Sequence, residues 1–217
     1  MVTSKLIVDS AGSGREEALS AADRFSVKEG LDHRSALHVH LLTEEAVGMV
    51  TAITEEFSAL FWLESRDEDK VFIHLLAETD MDMDKKQALI DTSRNKRNSA
   101  AKGVMGKIRE IVENGIYKID EVGKLEAQYG GVPLMYSMMG AVDSSYAQTV
   151  NYQWTLGKYR QNVEEAKQDN PAALEAWDEL EKSIIANMAD DVKVSVKGSS
   201  VELVIEKDVI RQNASKG

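Results

Sequence analysis

The sequence predicts an α+β fold, a two-layer sandwich with helices packed on one face of a mixed, largely antiparallel sheet. Three observations carry this. Helical and strand-like segments come in runs instead of alternating as βαβ units. The longest clean helical pattern lies early, at Arg34–Thr54 (RSALHVHLLTEEAVGMVTAIT). The clearest hairpin closes the chain at 192–206.

The elements follow in order. Leu6 and Val8 alternate with Lys5 and Ile7 as a short strand, and Ala11-Gly12-Ser13-Gly14 is a loop. Ser13 with Glu16 three residues on reads as a capping box, opening a helix that runs to about Glu29 before Gly30 stops it. Asp32 is placed to cap the next helix, the one at 34–54. There Val39, Leu42, Ala46, Met49, Val50 and Ile53 recur at spacings of three and four and share one face. Ala59–Glu64 and Lys70–Glu78 are rich in aromatic and β-branched residues and are separated by five polar ones, which predicts an antiparallel hairpin. Asp84 is placed to cap a short helix containing Ala88, Leu89 and Ile90, and Thr92–Ser99 is polar, basic and irregular. Ala100–Asn114 reads as a helix ended by Gly115.

From Gly115 to Gln153 periodicity is weak, with Gly123, Gly130, Gly131, Pro133, Gly140, Asp143 and Asn151 as loop signals. Tyr129, Leu134, Met135, Tyr136, Met138 and Met139 in the same stretch suit either an adaptable contact surface or a loop folded onto the core. Trp154–Gln168 reads as a helix. Asn170-Pro171 opens another, with Leu174, Trp177, Leu180, Ile184 and Met188 as its buried stripe. Val192, Val194 and Val196, then Val201, Leu203 and Ile205 around Gly198-Ser199-Ser200, form the closing hairpin.

Composition bounds the function. At 217 residues, 43% hydrophobic and 29% charged, the chain suits one soluble globular domain with a real core. It is organised as a single domain over 1–217 with an insertion at about 115–157, extending at most to 185. No apolar run approaches the roughly 20 residues of a bilayer span. The opening MVTSKLIVDSAGSG has no long apolar stretch of the secretory kind, so a cytoplasmic location is expected. With no cysteine there are no disulfides and no thiolate chemistry. The net charge of −11 disfavours direct nucleic-acid binding. Against it stands a basic island, Lys85, Lys86, Arg94, Lys96, Arg97, Lys102, Lys107 and Arg109, which fits an anion contact or a solvated face.

His33, His38, His40 and His74 lack the spacing that places two ligands on one helical face, and no metal site is expected. There is no Gly-x-Ser-x-Gly and no P-loop, and Gly12-Ser13-Gly14 is too short a glycine pattern to count. Glu44 and Glu45 sit beside the apolar stripe of the long helix, as a solvated edge or as half of a site. The informative combination is this helical Glu, the hairpin after it, the acidic run Glu78–Asp84, the basic loop, and Gly103-x-x-Gly106 at a helix start. Amides exposed there attract anions, and Lys102 and Lys107 add to that pull.

That order resembles the histidine-kinase-like ATPase fold, and within it the anti-sigma-factor serine kinases; it also looks like a bacterial subgroup of ATP-binding type. The likeness covers 1–114 and roughly 185–207. In that family a helix pattern near Ser-Glu-Ala-x-x-Asn supplies a catalytic Glu and a magnesium-binding Asn. In Leu42-Thr43-Glu44-Glu45-Ala46-Val47-Gly48 the Glu is Glu44, and Gly48 stands where the Asn would be. Glu78-Thr79-Asp80-Met81-Asp82 corresponds to the family's adenine-binding acidic motif without its glycines. Lys102-Gly103-Val104-Met105-Gly106 resembles its last glycine motif. The resemblance thus implies Glu44 as catalytic base. It implies Glu45, Gly48, Glu78, Asp80, Asp82, Asn98, Lys102, Gly103, Gly106 and Lys107 around a nucleotide, ATP or ADP. Magnesium is poorly provided for, since Gly48 offers no side-chain oxygen, and Met81 and Met83 would crowd the base.

Three readings follow. In the first, the chain is a degenerate regulatory protein binding a protein partner, with nucleotide as a further ligand. In the second, Glu45 or Asp80 replaces the lost metal ligand and the protein is an active ATPase or serine kinase. In the third, it is a pure interaction module, with 115–153 as a partner or homodimer surface.

Overall fold

The computed structural model describes residues 1–51, 58–67, 69–78, 151–197 and 200–212, together with Gly106 and Ile108. In chain order the elements are β1 (Leu6–Asp9), α1 (Arg15–Lys28), α2 (His33–Thr51), β2 (Ser58–Arg66) and β3 (Lys70–Glu78). Then come β4 (Asn151–Thr155), α3 (Leu156–Ala166), α4 (Pro171–Lys182), α5 (Ile184–Met188), β5 (Asp191–Lys197) and β6 (Ser200–Asp208). The strands form an antiparallel open sheet in the order β1-β2-β3-β6-β5-β4, and the class is α+β. The chain divides into two compact units. One comprises Met1–Ala77, Ile184–Val192 and Leu203–Gly217; the other comprises Glu78–Ser183 and Lys193–Glu202.

In the first unit, α1 and α2 pack on each other and on β1, while α1 also meets β2 and α2 meets α5. Alternation decides which strand residues they cover. Val8, Ala59, Phe61, Leu63, Val71, Ile73, Leu75 and Ala77 are buried. Phe61, Leu63 and Val71 are wholly so, and each such side chain removed from water stabilises the fold by about 1.5–3 kcal/mol. Ala18, Ala21 and Ala22 give α1 a small-residue face that lets α2 approach closely. On α2 the expected stripe is buried from Val39 to Val50. Ile53 lies outside the described residues. Asp32 caps α2 as anticipated, its Oδ1 accepting the Ser35 amide at 2.7 Å.

The hairpin β2–β3 has the register Leu60↔Leu76 through Arg66↔Lys70, closed by Asp67 at φ 60°. On the other side of β2, Thr3 N donates to Leu63 O at 2.9 Å, and Ser65 N donates to Met1 O at 2.7 Å. Val2 bridges Glu64 whereas Leu6 pairs with Phe61. The first strand therefore carries one extra residue between those two pairings, a bulge at Ser4-Lys5.

The start of α1 departs from the sequence reading. Ser13 does not cap it. Gly14 is the N-cap, left-handed at φ 77°, with no side-chain cap bond. Ser13 is committed to Asp9 instead: its amide donates to Asp9 Oδ1 at 2.9 Å and its carbonyl accepts the Asp9 amide at 3.2 Å. A Cβ on Gly14 would overlap the Ile7 carbonyl oxygen, so the turn lies directly against β1.

A C-terminal strap completes this unit. Ile210 O accepts the Asp32 amide at 2.8 Å, Ile210 N donates to Ser35 Oγ at 2.9 Å, and Gln212 N donates to Gly30 O at 2.7 Å. Arg211 donates to the Glu29 carboxylate, to Glu29 O at 3.1 Å and to Ser65 Oγ at 2.8 Å.

In the second unit, β4 pairs with β5 from Asn151↔Lys197 to Thr155↔Lys193. The helix expected from Trp154 begins at Leu156, with Thr155 as its cap accepting the Lys158 amide at 3.2 Å. Asn170 caps α4 through the Ala172 amide at 3.0 Å, and Pro171 follows at N1, as the sequence signalled. The single stripe expected from Leu174 to Met188 is broken. Ser183 is extended and separates α4 from α5, and Leu174 and Ile184 are 50% and 47% exposed. Since α4 packs on α3, Leu180 is buried as expected, but its companion is Ala173, which the stripe did not include.

The predicted short helix after Asp84, the polar loop 92–99 and most of the 100–114 helix lie outside the described residues. Gly106 and Ile108 are both helical and buried.

Candidate functional site

The residues with the best claim to chemistry lie on the rim of α2. Its buried stripe is turned to the sheet and to α1, which leaves Leu41, Glu44, Glu45 and Gly48 along the helix edge, each half-buried. Glu44 is not free. Arg15, the first residue of α1, donates from Nη2 to Glu44 Oε1 at 2.8 Å. The two side chains are 41% and 43% exposed, so the pair adds only about 0–1 kcal/mol to stability. Its importance is positional, because it occupies the carboxylate with a permanent cation.

Glu45 differs. Burial, and next the Glu44 carboxylate beside it, push its carboxyl above the usual glutamate range. A carboxyl raised in this way is a stronger proton acceptor than a free one when ionised. One turn on, a Cβ at Gly48 would meet nothing within 4 Å among the described residues. Packing among those residues does not demand a glycine here. Thr51 Oγ1 donates to the Gly48 carbonyl at 2.9 Å.

Of the other sequence-predicted site residues, Glu78 ends β3 and Gly106 is buried in a helix. Asp80, Asp82, Asn98, Lys102, Gly103 and Lys107 lie outside the described residues. Gly12-Ser13-Gly14 is a structural turn against β1, as its Asp9 contacts show. Hydrogen bonds from Ser13, backbone first, hold the Asp9 carboxyl below its usual range.

The histidines are dispersed. His33 is exposed. His40 Nδ1 meets Asp23 Oδ1 at 2.7 Å. Burial, followed by the charge of Lys207, pushes His38 below the ordinary imidazole value. Among the described residues no three His, Cys, Asp or Glu converge as a metal centre, and no helix is long and apolar enough to cross a membrane.

A second cluster escaped the sequence reading. On the sheet face opposite the α1–α2 layer, His74 is 5% exposed and stacks on Trp62, with ring centroids 4.6 Å apart and planes at 6°. Lys5, exposed just before β1, lies 4.6 Å from the Trp62 ring centre, and Arg66 lies 5.1 Å from that of Phe72. Glu64 Oε2 is 3.4 Å from His74 Nε2, and Glu64 accepts two bonds from Arg66 at 2.7 and 2.8 Å. Those Arg66 bonds outweigh burial and hold the Glu64 carboxyl below its usual range. The signal was available: a lone His in an apolar strand, placed opposite Trp62 once the hairpin register is fixed by its turn.

No family model, curated protein or solved structure matches this chain in the three comparisons made, so the family likeness rests on the residues quoted for it.

Proposed function

We propose that the protein is a degenerate relative of the histidine-kinase-like ATPases, of the anti-sigma-factor serine-kinase type. In this reading it is a cytoplasmic regulator that binds a protein partner, takes ATP or ADP as a further ligand, and transfers phosphate poorly or not at all. The observation that carries the reading is the Arg15–Glu44 pair. A general base must receive a proton from an attacking hydroxyl or water, and here Glu44 Oε1 is already taken by the Arg15 guanidinium. Gly48 supports the same conclusion, since it supplies no side-chain oxygen for a magnesium ion that would otherwise neutralise a γ-phosphoryl group. The net charge of −11 argues against nucleic acid as the partner.

Thermal-shift measurements with ATP and ADP, each with and without magnesium, test this. Stabilisation that does not depend on the metal is expected, growing with ligand concentration as mass action requires. No response to either nucleotide would remove nucleotide from the proposal. A magnesium-dependent rise accompanied by turnover would overturn it.

Glu45 favours a second reading, an active ATPase or serine kinase with a substituted catalytic or metal-binding carboxylate, because it lies beside Glu44 on the same helix edge and has no ion-pair partner among the described residues. Under that reading Glu45→Gln abolishes turnover while Glu44→Gln preserves part of it. Equal background rates in both variants and the wild type dismiss it.

A further inference from the structure

On the β2–β3 hairpin two basic side chains meet one carboxylate. Arg66 reaches both Glu64 oxygens, Nε donating to Oε1 at 2.7 Å and Nη2 to Oε2 at 2.8 Å. His74 Nε2 stands 3.4 Å from that same Oε2. The strand register fixes the meeting, with Trp62 opposite His74 and Glu64 opposite Phe72 on one face of the sheet. The two basic groups differ in their access to water: the Arg66 side chain is 57% exposed and that of His74 only 6%. The other charged groups around them are Lys5, over the Trp62 ring, and Lys70, which pairs with Glu206 and Asp208.

We propose that His74 is a proton-operated switch in this hairpin: when its imidazole is protonated, Glu64 Oε2 turns to His74 and Arg66 keeps only its bond to Oε1. Histidine is the side chain whose charge ordinarily changes between about pH 5 and 8. Glu64 stays ionised over that range, because the Arg66 bonds hold its carboxyl below the usual value. Solvation decides the competition. A cation as buried as a protonated His74 requires a carboxylate, since an uncompensated charge away from water is strongly disfavoured. Arg66 can exchange a bond to Glu64 for water, and an ion pair with so exposed a partner contributes little. Trp62 adds to the bias, because the face of an indole attracts the imidazolium stacked on it. Lys5 and Arg66 oppose the proton as like charges, while Glu206 and Asp208 are engaged by Lys70.

Nitrogen NMR of the full wild-type chain, scanned from about pH 8 to 5, tests this. The His74 ring nitrogens should report proton uptake, and the Arg66 Nη signals should lose their protection from solvent exchange at the same midpoint. Arg66→Gln removes the competitor for Glu64, so His74 should then take up its proton at higher pH. His40→Gln breaks the His40–Asp23 contact between α1 and α2 instead, and should leave the Arg66 response unchanged. The proposal is overturned if His74 keeps one protonation state over the whole scan, or if it titrates while the Arg66 signals stand still. It is equally overturned if Arg66→Gln leaves the His74 midpoint where it was or lowers it, or if His40→Gln abolishes the Arg66 response.

Discussion

Replacing Gly14 by alanine probes how tightly α1 is set against β1. Gly14 sits at φ 77°, where an L side chain costs about 1–2 kcal/mol. Space adds to this. The new Cβ would overlap the Ile7 carbonyl oxygen, and would also stand 3.1 Å from the Ile7 carbonyl carbon and 3.3 Å from Val8 Cα. These are backbone atoms of a paired strand and cannot swing aside, so either β1 or the first turn of α1 must shift. Overpacking of that kind costs about 1–3 kcal/mol, and the two contributions together give about 2–5 kcal/mol. Gly12 and Gly30 separate them, having φ of 91° and 63° but nothing within 4 Å of an added Cβ among the described residues. Gly12→Ala and Gly30→Ala should therefore lose only the conformational part, about 1–2 kcal/mol. Urea unfolding followed both by far-UV circular dichroism and by tryptophan fluorescence measures the difference, provided the two probes give coincident transitions. If Gly14→Ala costs no more than Gly12→Ala, the close approach of Gly14 to β1 is wrong.

Two further substitutions test other joints. Arg211→Ala strips the Glu29 carboxylate, whose side chain is only 10% exposed, of its cation, and should cost about 2–4 kcal/mol. Burial pushes the Glu29 carboxyl up, but the hydrogen bonds from Arg211 and Ser65 and the Arg211 charge together bring it below the ordinary 4.5. A carboxyl lowered on folding stabilises fully above its unfolded value and loses that contribution as the pH falls through its folded one. The melting temperature of the wild type should thus decline more steeply on the acid side, below 4.5, than that of Arg211→Ala; parallel curves would refute the pairing. Asn170→Ala removes the cap of α4 and should cost about 1 kcal/mol, read as faster amide exchange in the first turn of that helix. Unchanged exchange at Ala172 would show that the cap bond carries no weight.

The parts of the fold that were legible in the sequence are those with a local cause. Asp32 and Asn170 each cap a helix with a side chain only two or three residues from the amide it binds. The β2–β3 hairpin announces itself by alternation around a polar turn. Strand β4 was not legible, because five residues give too short a period and Trp154 continues smoothly into the apolar positions of α3. The stripe from Leu174 to Met188 misled for a different reason. Periodicity shows which residues share a face, but not whether the helix meets a sheet or, as α4 does, another helix. The candidate site divides in the same manner. Glu44 and Glu45 were found as neighbours, yet the ion pair that sets Glu44 apart comes from Arg15, which lies 29 positions away in sequence. The Trp62–His74 stack needs the register of two strands, which composition does not carry.

The strap through Arg211 has a consequence for the order in which the chain can fold. Glu29 waits for a partner 182 positions later, and Ser35 for one 175 positions later. A nascent polypeptide emerging from the ribosome would present α1, α2 and the β2–β3 hairpin long before residues 209–212 are made. These early segments cannot be fastened until that strap has been made. Such distant closures are slow and leave apolar surface open in the interim, which makes the growing chain a natural client for chaperones until residues 209–212 arrive.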